Sequence, residues 1–246
     1  MRRLIAALLF VIIYAGNVHA DTTTGLVGWW KFEEGSGNAL DSTGQGFTGT
    51  LVNSPIRITG KRGMALSFNG SNQYINAGGA GNFTSSNFTL SGWFYFTELS
   101  ASRQPVILYK GGYTSQGYYI QIISTGSIWF HTNQSGAVQI TKSSVAAVNT
   151  NNWHLITIIR NGSSVRIYVN GADVTSTADT HIDPADSAEN FQIGTYQQQT
   201  GNTLPLAGMA DDIRIYNRAL IVQDVYMLYL GDNKIRNAVM RNVQFK

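Results

Sequence analysis

The sequence has 246 residues, no cysteine, and a formal net charge of +3 from 17 basic and 14 acidic residues. The absence of cysteine excludes disulfides, thiolate metal sites and cysteine nucleophiles, and the length suits one large β domain or two small ones. Six of the basic residues lie near the two ends of the chain, so the body lacks the basic surface that follows nucleic-acid phosphates, and we expect no nucleic-acid partner.

The first 20 residues have the layout of a secretory signal peptide. Two arginines precede an apolar stretch over residues 4–15, and small residues at positions 18 and 20 form a cleavage pattern. The apolar stretch is short for a membrane span; an uncleaved anchor is the alternative. We therefore expect a mature protein that begins near Asp21, lacks a transmembrane span and is secreted, with the periplasm or the cell surface as possible destinations.

Residues 21–230 consist of short runs rich in β-branched and aromatic residues, separated by glycine, asparagine, serine and threonine. Asn-Gly pairs at 69–70, 161–162 and 170–171 mark tight turns between these runs. Many strands, few helices and no internal repeat of fixed period predict a two-sheet β-sandwich in one domain.

The stretch "WHLITIIRNGSSVRIYVNG" predicts an antiparallel hairpin. In its second strand Val165, Ile167 and Val169 alternate with Arg166 and Tyr168, which places the aliphatic side chains on one face.

The stretch "GMADDIRIYNRAL" carries two adjacent carboxylates. Read as a regular strand, it places Asp211 on the face of Ile213 and Ile215, and Asp212 on the opposite face. Since an unpaired buried carboxylate is costly, Asp211 requires a partner.

The C-terminal part of the chain breaks the strand pattern. In "LIVQDVYMLYL", apolar residues recur at helical spacing, which predicts a short amphipathic helix over residues 221–229. It starts at Ile221 without a capping Ser or Thr, so we expect its first turn to fray. Residues 231–246 form a basic tail that is either disordered or docks on a partner or an anionic surface.

Five stretches in this order resemble the laminin-G-like branch of the concanavalin A-like lectin/glucanase superfamily. They are "GLVGWWKFEEGSGNALDSTGQGFTGTL", "GMALSFNGSNQYINAG", "FTLSGWFYF", "NNWHLITIIRNGSSVRIYVNG" and "LAGMADDIRIYNRAL". The resemblance covers roughly residues 25–230. It implies an all-β jelly-roll sandwich of two antiparallel sheets over residues 21–230, with one short C-terminal helix, in a secreted protein that binds glycans or other surface ligands.

The resemblance also implies a structural calcium ion that joins the N-terminal loop to the last strand. The matching positions are Asp41 and Asp211, with Glu34 as a supporting ligand, and carbonyls of residues 44–46 could complete an oxygen shell. The alternative is that Asp211 pairs with an arginine or caps a backbone group. Because only Asp211 shares the face of Ile213 and Ile215 and would lose a metal ligand, we expect Asp211→Asn to lower thermal stability more than Asp212→Asn.

The residues give little support to an enzyme. The paired-carboxylate strand E-x-D-x-x-E of glycanases is absent, and the histidines at 131, 154 and 181 are scattered. "ILYKGGYTSQGYYIQI" superficially resembles an alginate-lyase strand, but its "QIH" partner motif is missing. A non-catalytic protein is therefore expected, with polysaccharide lyase or glycoside hydrolase as less favoured alternatives.

Glycan binding requires aromatic faces for stacking and polar groups for hydroxyls. Loops are expected to supply such groups, and the predicted ligand contacts are Tyr113, Trp129, Tyr196, Gln198 and Asn202. A structural or adhesive surface protein that binds protein partners is the alternative. The residues expected to be structural are Trp29, Phe68, Trp93, Ile167 and Ile215.

Overall fold

The computed structural model describes residues 21–83, 85–112, 115–134, 136–182, 187–196 and 204–231. The predicted signal peptide and all but the first residue of the predicted tail lie outside these ranges. The described residues form sixteen strands and one helix: β1 (Leu26–Trp30), β2 (Thr50–Val52), β3 (Ile56–Thr59), β4 (Met64–Asn69), β5 (Tyr74–Asn76), β6 (Phe88–Phe96), β7 (Val106–Lys110), β8 (Gly117–Ile122), β9 (Ile128–Gln134), β10 (Ala137–Ser143), β11 (Trp153–Asn161), β12 (Ser164–Val169), β13 (Ala172–Asp173), β14 (Thr175–Thr177), β15 (Gln192–Ile193), β16 (Ala207–Tyr216) and α1 (Val222–Leu230).

The strands form two antiparallel sheets, which confirms the predicted sandwich. The first sheet has the order β13-β12-β11-β6-β16-β4-β3, with β1 also paired to β16. The second has the order β14-β10-β9-β8-β7-β15-β5-β2. Strands distant in sequence are neighbours in both sheets, so the last strand, β16, is held between β6 and β4.

The core lies between the sheets. Leu66 and Phe94 of the first sheet share it with Ile120 and Phe130 of the second. Each such side chain contributes about 1.5–3 kcal/mol when fully buried. Phe68, Ile167 and Ile215 belong to this core, as predicted.

The predicted hairpin is confirmed. Strands β11 and β12 pair antiparallel in regular register. Val165, Ile167 and Val169 pack in the core between the sheets, whereas Tyr168 packs on the opposite face. The period-two pattern therefore gave the correct orientation of this strand.

The prediction that Trp29 is a structural core residue was wrong. Trp30, with no exposed surface, occupies the core and stacks on Phe191 at 5.7 Å between ring centroids. Trp29 alternates to the outer face and remains partly exposed. Its ring lies under two cations there, Lys31 Nζ at 3.8 Å and Arg214 Cζ at 4.3 Å from the ring centroid.

Helix α1 covers the outer face of the first sheet, where Val225 and Leu228 pack with Trp93, Leu155 and Tyr216. The predicted helix is confirmed to within one residue. Within the described part of the chain, no helix is long and apolar enough to cross a bilayer.

Both ends of helix α1 are tied by side chains. At its start Asp224 Oδ2 accepts the Ile221 amide at 3.2 Å, which supplies the N-terminal contact that Ile221 itself lacks. At its end the Arg62 guanidinium donates to the Leu228 and Tyr229 carbonyls, where a cation is also favoured by the helix dipole.

Candidate functional site

Aromatic and polar side chains line the side of the second sheet that faces away from the core. Along β8, Tyr118 and Ile120 point into the core between the sheets, so Tyr119 points outward. The same alternation places Tyr109 of β7 and Trp129 and His131 of β9 on this side. We call the set Tyr109, Tyr119, Trp129, His131 and Tyr196 the aromatic face.

The aromatic face is built by cross-strand register. Tyr109 is paired with Tyr119, and Tyr119 with His131. The Tyr119 and His131 rings stack with centroids 4.1 Å apart and planes 9° apart. Tyr196 extends the row by an edge contact with Tyr109 at 4.9 Å. These contacts fix the rings of Tyr109, Tyr119 and His131 on adjacent strands, whereas Tyr196 lies in the loop after β15.

His131 stands out on this face because its ring nitrogens lack partners. The residue is 4% exposed, and neither Nδ1 nor Nε2 has a hydrogen-bond partner among the described residues. Burial, together with the nearby Lys142 and His181, lowers the pKa of His131 to about 3. The imidazole is therefore neutral at pH 7, with one donor and one acceptor unused.

Trp129 is the accessible aromatic beside His131. It is half-buried, and its ring centroid lies 5.9 Å from that of His131. Lys142, its register partner on β10, holds Nζ 4.3 Å from the Trp129 ring. An aromatic surface, a neutral imidazole and an ammonium group thus lie together.

The predicted ligand contacts fall in two groups, and Trp129 lies in strand β9 rather than in a loop as predicted. Trp129 and Tyr196 both lie on the aromatic face, but Tyr196 is only 2% exposed and packs with Tyr109. Tyr113, Gln198 and Asn202 lie outside the described residues. Sequence reasoning missed Tyr109 and Tyr119 as members of the face; the outward parity of "GYYIQI" was the signal that could have identified Tyr119.

A second polar cluster lies on the outer side of the first sheet, in a cleft of about 130 Å³. Its lining groups carry three cations, three carboxylates and one indole, on Trp29, Lys31, Glu33, Arg62, Asp211, Asp212 and Arg214. Because this cluster contains both aspartates of the last strand, it is the candidate metal centre.

The predicted face of Asp211 was wrong because strand β16 contains a bulge. Asp211 pairs with Trp93 and Arg214 with Ser91, so Asp212 and Ile213 together oppose Gly92. Asp212 takes the left-handed conformation at φ +50°. The extra residue keeps Ile213 in the core and turns both aspartates toward the outer cleft.

The two aspartates have opposite environments. Asp212 accepts a hydrogen bond from the Trp29 indole and pairs with Arg62 at 2.8 Å and Arg214 at 3.1 Å. Asp211 Oδ2 accepts the Arg62 amide at 2.7 Å, but its buried Oδ1 has no partner among the described residues. Burial raises the pKa of Asp211 to about 7, and nearby Asp212 and Glu33 act in the same direction.

The other two predicted calcium ligands are engaged by the protein itself. Asp41 accepts the amides of Trp29, Thr43 and Phe47 at 3.0–3.2 Å. Glu34 pairs with Arg57 at 3.1 Å. Among the described residues, no three His, Cys, Asp or Glu side chains form a metal-binding group. Asp211 therefore fits a metal ligand, whereas Asp41 and Glu34 would have to give up present donors, and the calcium site remains a prediction.

Comparison with known proteins identifies the fold. A family model described as the concanavalin A-like lectin/glucanases superfamily matches residues 69–226. No curated protein matches significantly.

Three solved structures are similar over most of the chain. The binding domain of Paraclostridial Mosquitocidal Protein 1 is 17% identical with a TM-score of 0.69, over 85% of this chain and 52% of that one. Domain 4 of AbnA, a GH43 extracellular arabinanase from Geobacillus stearothermophilus in complex with arabinotriose, is 20% identical with a TM-score of 0.58, over 83% and 98%. Trypanosoma rangeli sialidase in complex with sialic acid is 16% identical with a TM-score of 0.64, over 86% and 33%. The chain thus spans about half of the toxin domain and a third of the sialidase.

Proposed function

The chain belongs to the concanavalin A-like lectin/glucanases superfamily, and from this membership we propose that it is a secreted, non-catalytic carbohydrate-binding protein. Its ligand is a glycan or polysaccharide, and the contact surface is centred on Trp129, the one member of the aromatic face that is not buried.

One observation carries this proposal: the half-buried Trp129 lies beside a neutral His131 whose two nitrogens are unbonded. A buried polar group without a partner costs about 1–3 kcal/mol, so its retention calls for a function. A sugar offers what the pair lacks, since its C–H face packs on an indole and its hydroxyls both donate and accept hydrogen bonds.

The similar structures support this choice only as analogies of fold. The arabinanase domain was solved with arabinotriose, and this chain covers nearly all of it. The sialidase was solved with sialic acid, but most of that protein has no counterpart here.

Binding to a glycan array and to polysaccharide affinity gels tests the proposal. Trp129→Ala should weaken retention at least fivefold, because one stacked aromatic contributes on the order of 1 kcal/mol. The matched control is Trp153→Ala, which removes a half-buried tryptophan from the first sheet, where it contacts Tyr95. Equal loss in the two variants would refute the assignment of the aromatic face.

The alternative is an adhesive surface protein with protein partners. In that case sugars would be inert while the protein self-associates or captures a protein ligand. A lyase would release unsaturated uronates, which an ultraviolet absorbance assay with alginate and related polymers detects. Neither outcome is compatible with a non-catalytic lectin.

A structural calcium ion at Asp211 is a further part of the proposal. The unpaired Oδ1 supports it, because a hard cation would keep this buried carboxylate ionised. Metal analysis after mild dialysis, with unfolding curves in chelator and after calcium addition, tests it. Finding neither bound metal nor a stability change would rule it out.

A further inference from the structure

The residue that follows the predicted signal peptide, Asp21, is hydrogen-bonded to the body of the fold. The Asp21 amide nitrogen donates to Asp224 Oδ1 at 2.9 Å. Asp224 lies in the first turn of helix α1 and is 2% exposed. The first residue expected in the mature chain therefore touches a buried carboxylate 203 positions away.

Further contacts hold the segment after Asp21 in place. Arg218 donates to the carbonyls of Asp21 and Thr24, and the Tyr216 hydroxyl donates to the Thr22 carbonyl at 3.0 Å. The position of the Asp21 nitrogen is thus fixed by the end of strand β16 and the following loop as well as by the helix.

Before cleavage, the negative charges around the Asp21 nitrogen outnumber the positive charges. The Asp21 and Asp224 carboxylates lie here with one guanidinium, that of Arg218, which pairs with Asp224 at 2.9 Å. Tyr216 is the other titratable group in contact with the segment, and its pKa is raised to about 12, chiefly by burial, so it is neutral. The cluster therefore has two negative charges and one positive charge.

We propose that hydrolysis of the Ala20–Asp21 peptide bond places a new α-ammonium group on Asp224, so that removal of the signal peptide completes a four-charge cluster and stabilises the mature fold. This inference rests on the secretory processing in the proposed function but not on glycan binding. Water adds across the peptide bond, the carboxylate leaves with residues 1–20, and the amine of Asp21 takes up a proton at neutral pH.

Protonation of the Asp21 amine would therefore be linked to folding, so that stability depends on pH. An α-amino group has an ordinary pKa of about 7.7–8.0, and the Asp224 carboxylate should raise it in the folded state. The added stability is then fully present below about pH 7.5 and is lost as pH rises through the folded pKa.

The test compares two mature chains. One consists of residues 21–246, which include every described residue, and begins at Asp21 after removal of a fusion partner. The other carries one additional glycine before Asp21, so that it keeps the amide hydrogen bond but moves the ammonium group away. At pH 6.5 in urea, the unfolding constant of the first chain should be lower than that of the chain with the additional glycine. The difference should be about tenfold for each unit by which folding raises the pKa of the Asp21 amine.

Two controls tie the effect to Asp224. Asp224→Asn should abolish the difference between the chains, whereas Asp173→Asn, which removes an exposed carboxylate 3.7 Å from Arg166, should preserve it. If Asp224→Asn does not fold, NMR titration of the Asp21 amine still decides. An ordinary pKa, equal stability of the two chains, or a secreted protein whose first residue is not Asp21 would each overturn the proposal.

Discussion

Asp211 and Asp212 are adjacent in sequence, and exchanging each for asparagine separates their roles. Asp212 joins Trp29, Arg62 and Arg214, and Arg214 is only 5% exposed. Removing one partner of a buried ion pair costs about 3–5 kcal/mol. Since asparagine keeps one acceptor oxygen, we expect Asp212→Asn to lower the free energy of unfolding by about 3 kcal/mol.

Asp211→Asn should behave in the opposite way in calcium-free buffer. The pKa of Asp211 is raised to about 7, so its ionised form is disfavoured in the folded state. Each unit of pKa shift corresponds to about 1.4 kcal/mol, and the neutral amide removes this penalty while its oxygen still accepts the Arg62 amide. We expect the variant to match the wild type near pH 4 and to exceed it by an amount that grows up to pH 7, reaching about 4 kcal/mol for a shift of about three units.

Urea unfolding followed by tryptophan fluorescence, in chelator between pH 4 and 8, measures both effects. The wild type should lose stability as pH rises from about 4 to 7 and change little above that, and Asp211→Asn should lack that slope. A hundredfold excess of calcium over Kd should add about 2.7 kcal/mol to the wild type and nothing to Asp211→Asn. In chelator, a loss in Asp211→Asn as large as that in Asp212→Asn would refute the reasoning.

Three further results are expected. His131→Leu should raise the free energy of unfolding by about 1–2 kcal/mol, since an unsatisfied buried ring is removed, while glycan retention falls; unchanged retention would remove His131 from the site. Tyr196→Ala should weaken binding, and because Tyr196 packs against Tyr109 it should also cost about 3 kcal/mol of stability; stability equal to the wild type would contradict this packing. Deleting the tail after Leu230 should leave glycan binding unchanged at low and high salt, whereas salt-sensitive loss would favour an anionic or protein partner.

The sequence predicted those parts of the fold that depend on regular periodicity. In β12, alternation of Val165, Ile167 and Val169 with polar residues correctly gave the buried face. Helix α1 followed from helical spacing. Such patterns are local, and they reflect which side of an element is removed from water.

The same reasoning failed at Asp211 because the backbone there is irregular. A bulge adds one residue to a strand and reverses the face of everything before it. Gly92, opposite the bulge, has no side chain to oppose Ile213; a Cβ there would lie 2.3 Å from Ile213 Cδ1. Residues 119 positions apart therefore determine the position of Asp211, and no window of sequence contains both.

The aromatic face was only partly predictable for a related reason. Trp129 could be selected as a polar-flanked aromatic, but stacking of Tyr119 on His131 depends on the register of β8 and β9. Register is set by pairing along the sheet rather than by residue type. Whether the His131 nitrogens find hydrogen-bond partners depends on the tertiary packing around the ring, which the local sequence does not determine.

The two outer sides of the sandwich differ in what their polar groups do. On the first sheet, helix α1 covers Trp93 and Leu155, and Arg62 joins the helix end to Asp212. Arg62 and Arg214 both pair with Asp212, whereas Oδ1 of the neighbouring Asp211 has no partner among the described residues. On the second sheet, His131 keeps two buried nitrogens without partners. Because a protein gains stability by satisfying such groups, calcium at Asp211 and a glycan hydroxyl at His131 would each supply binding energy that the protein's own contacts do not.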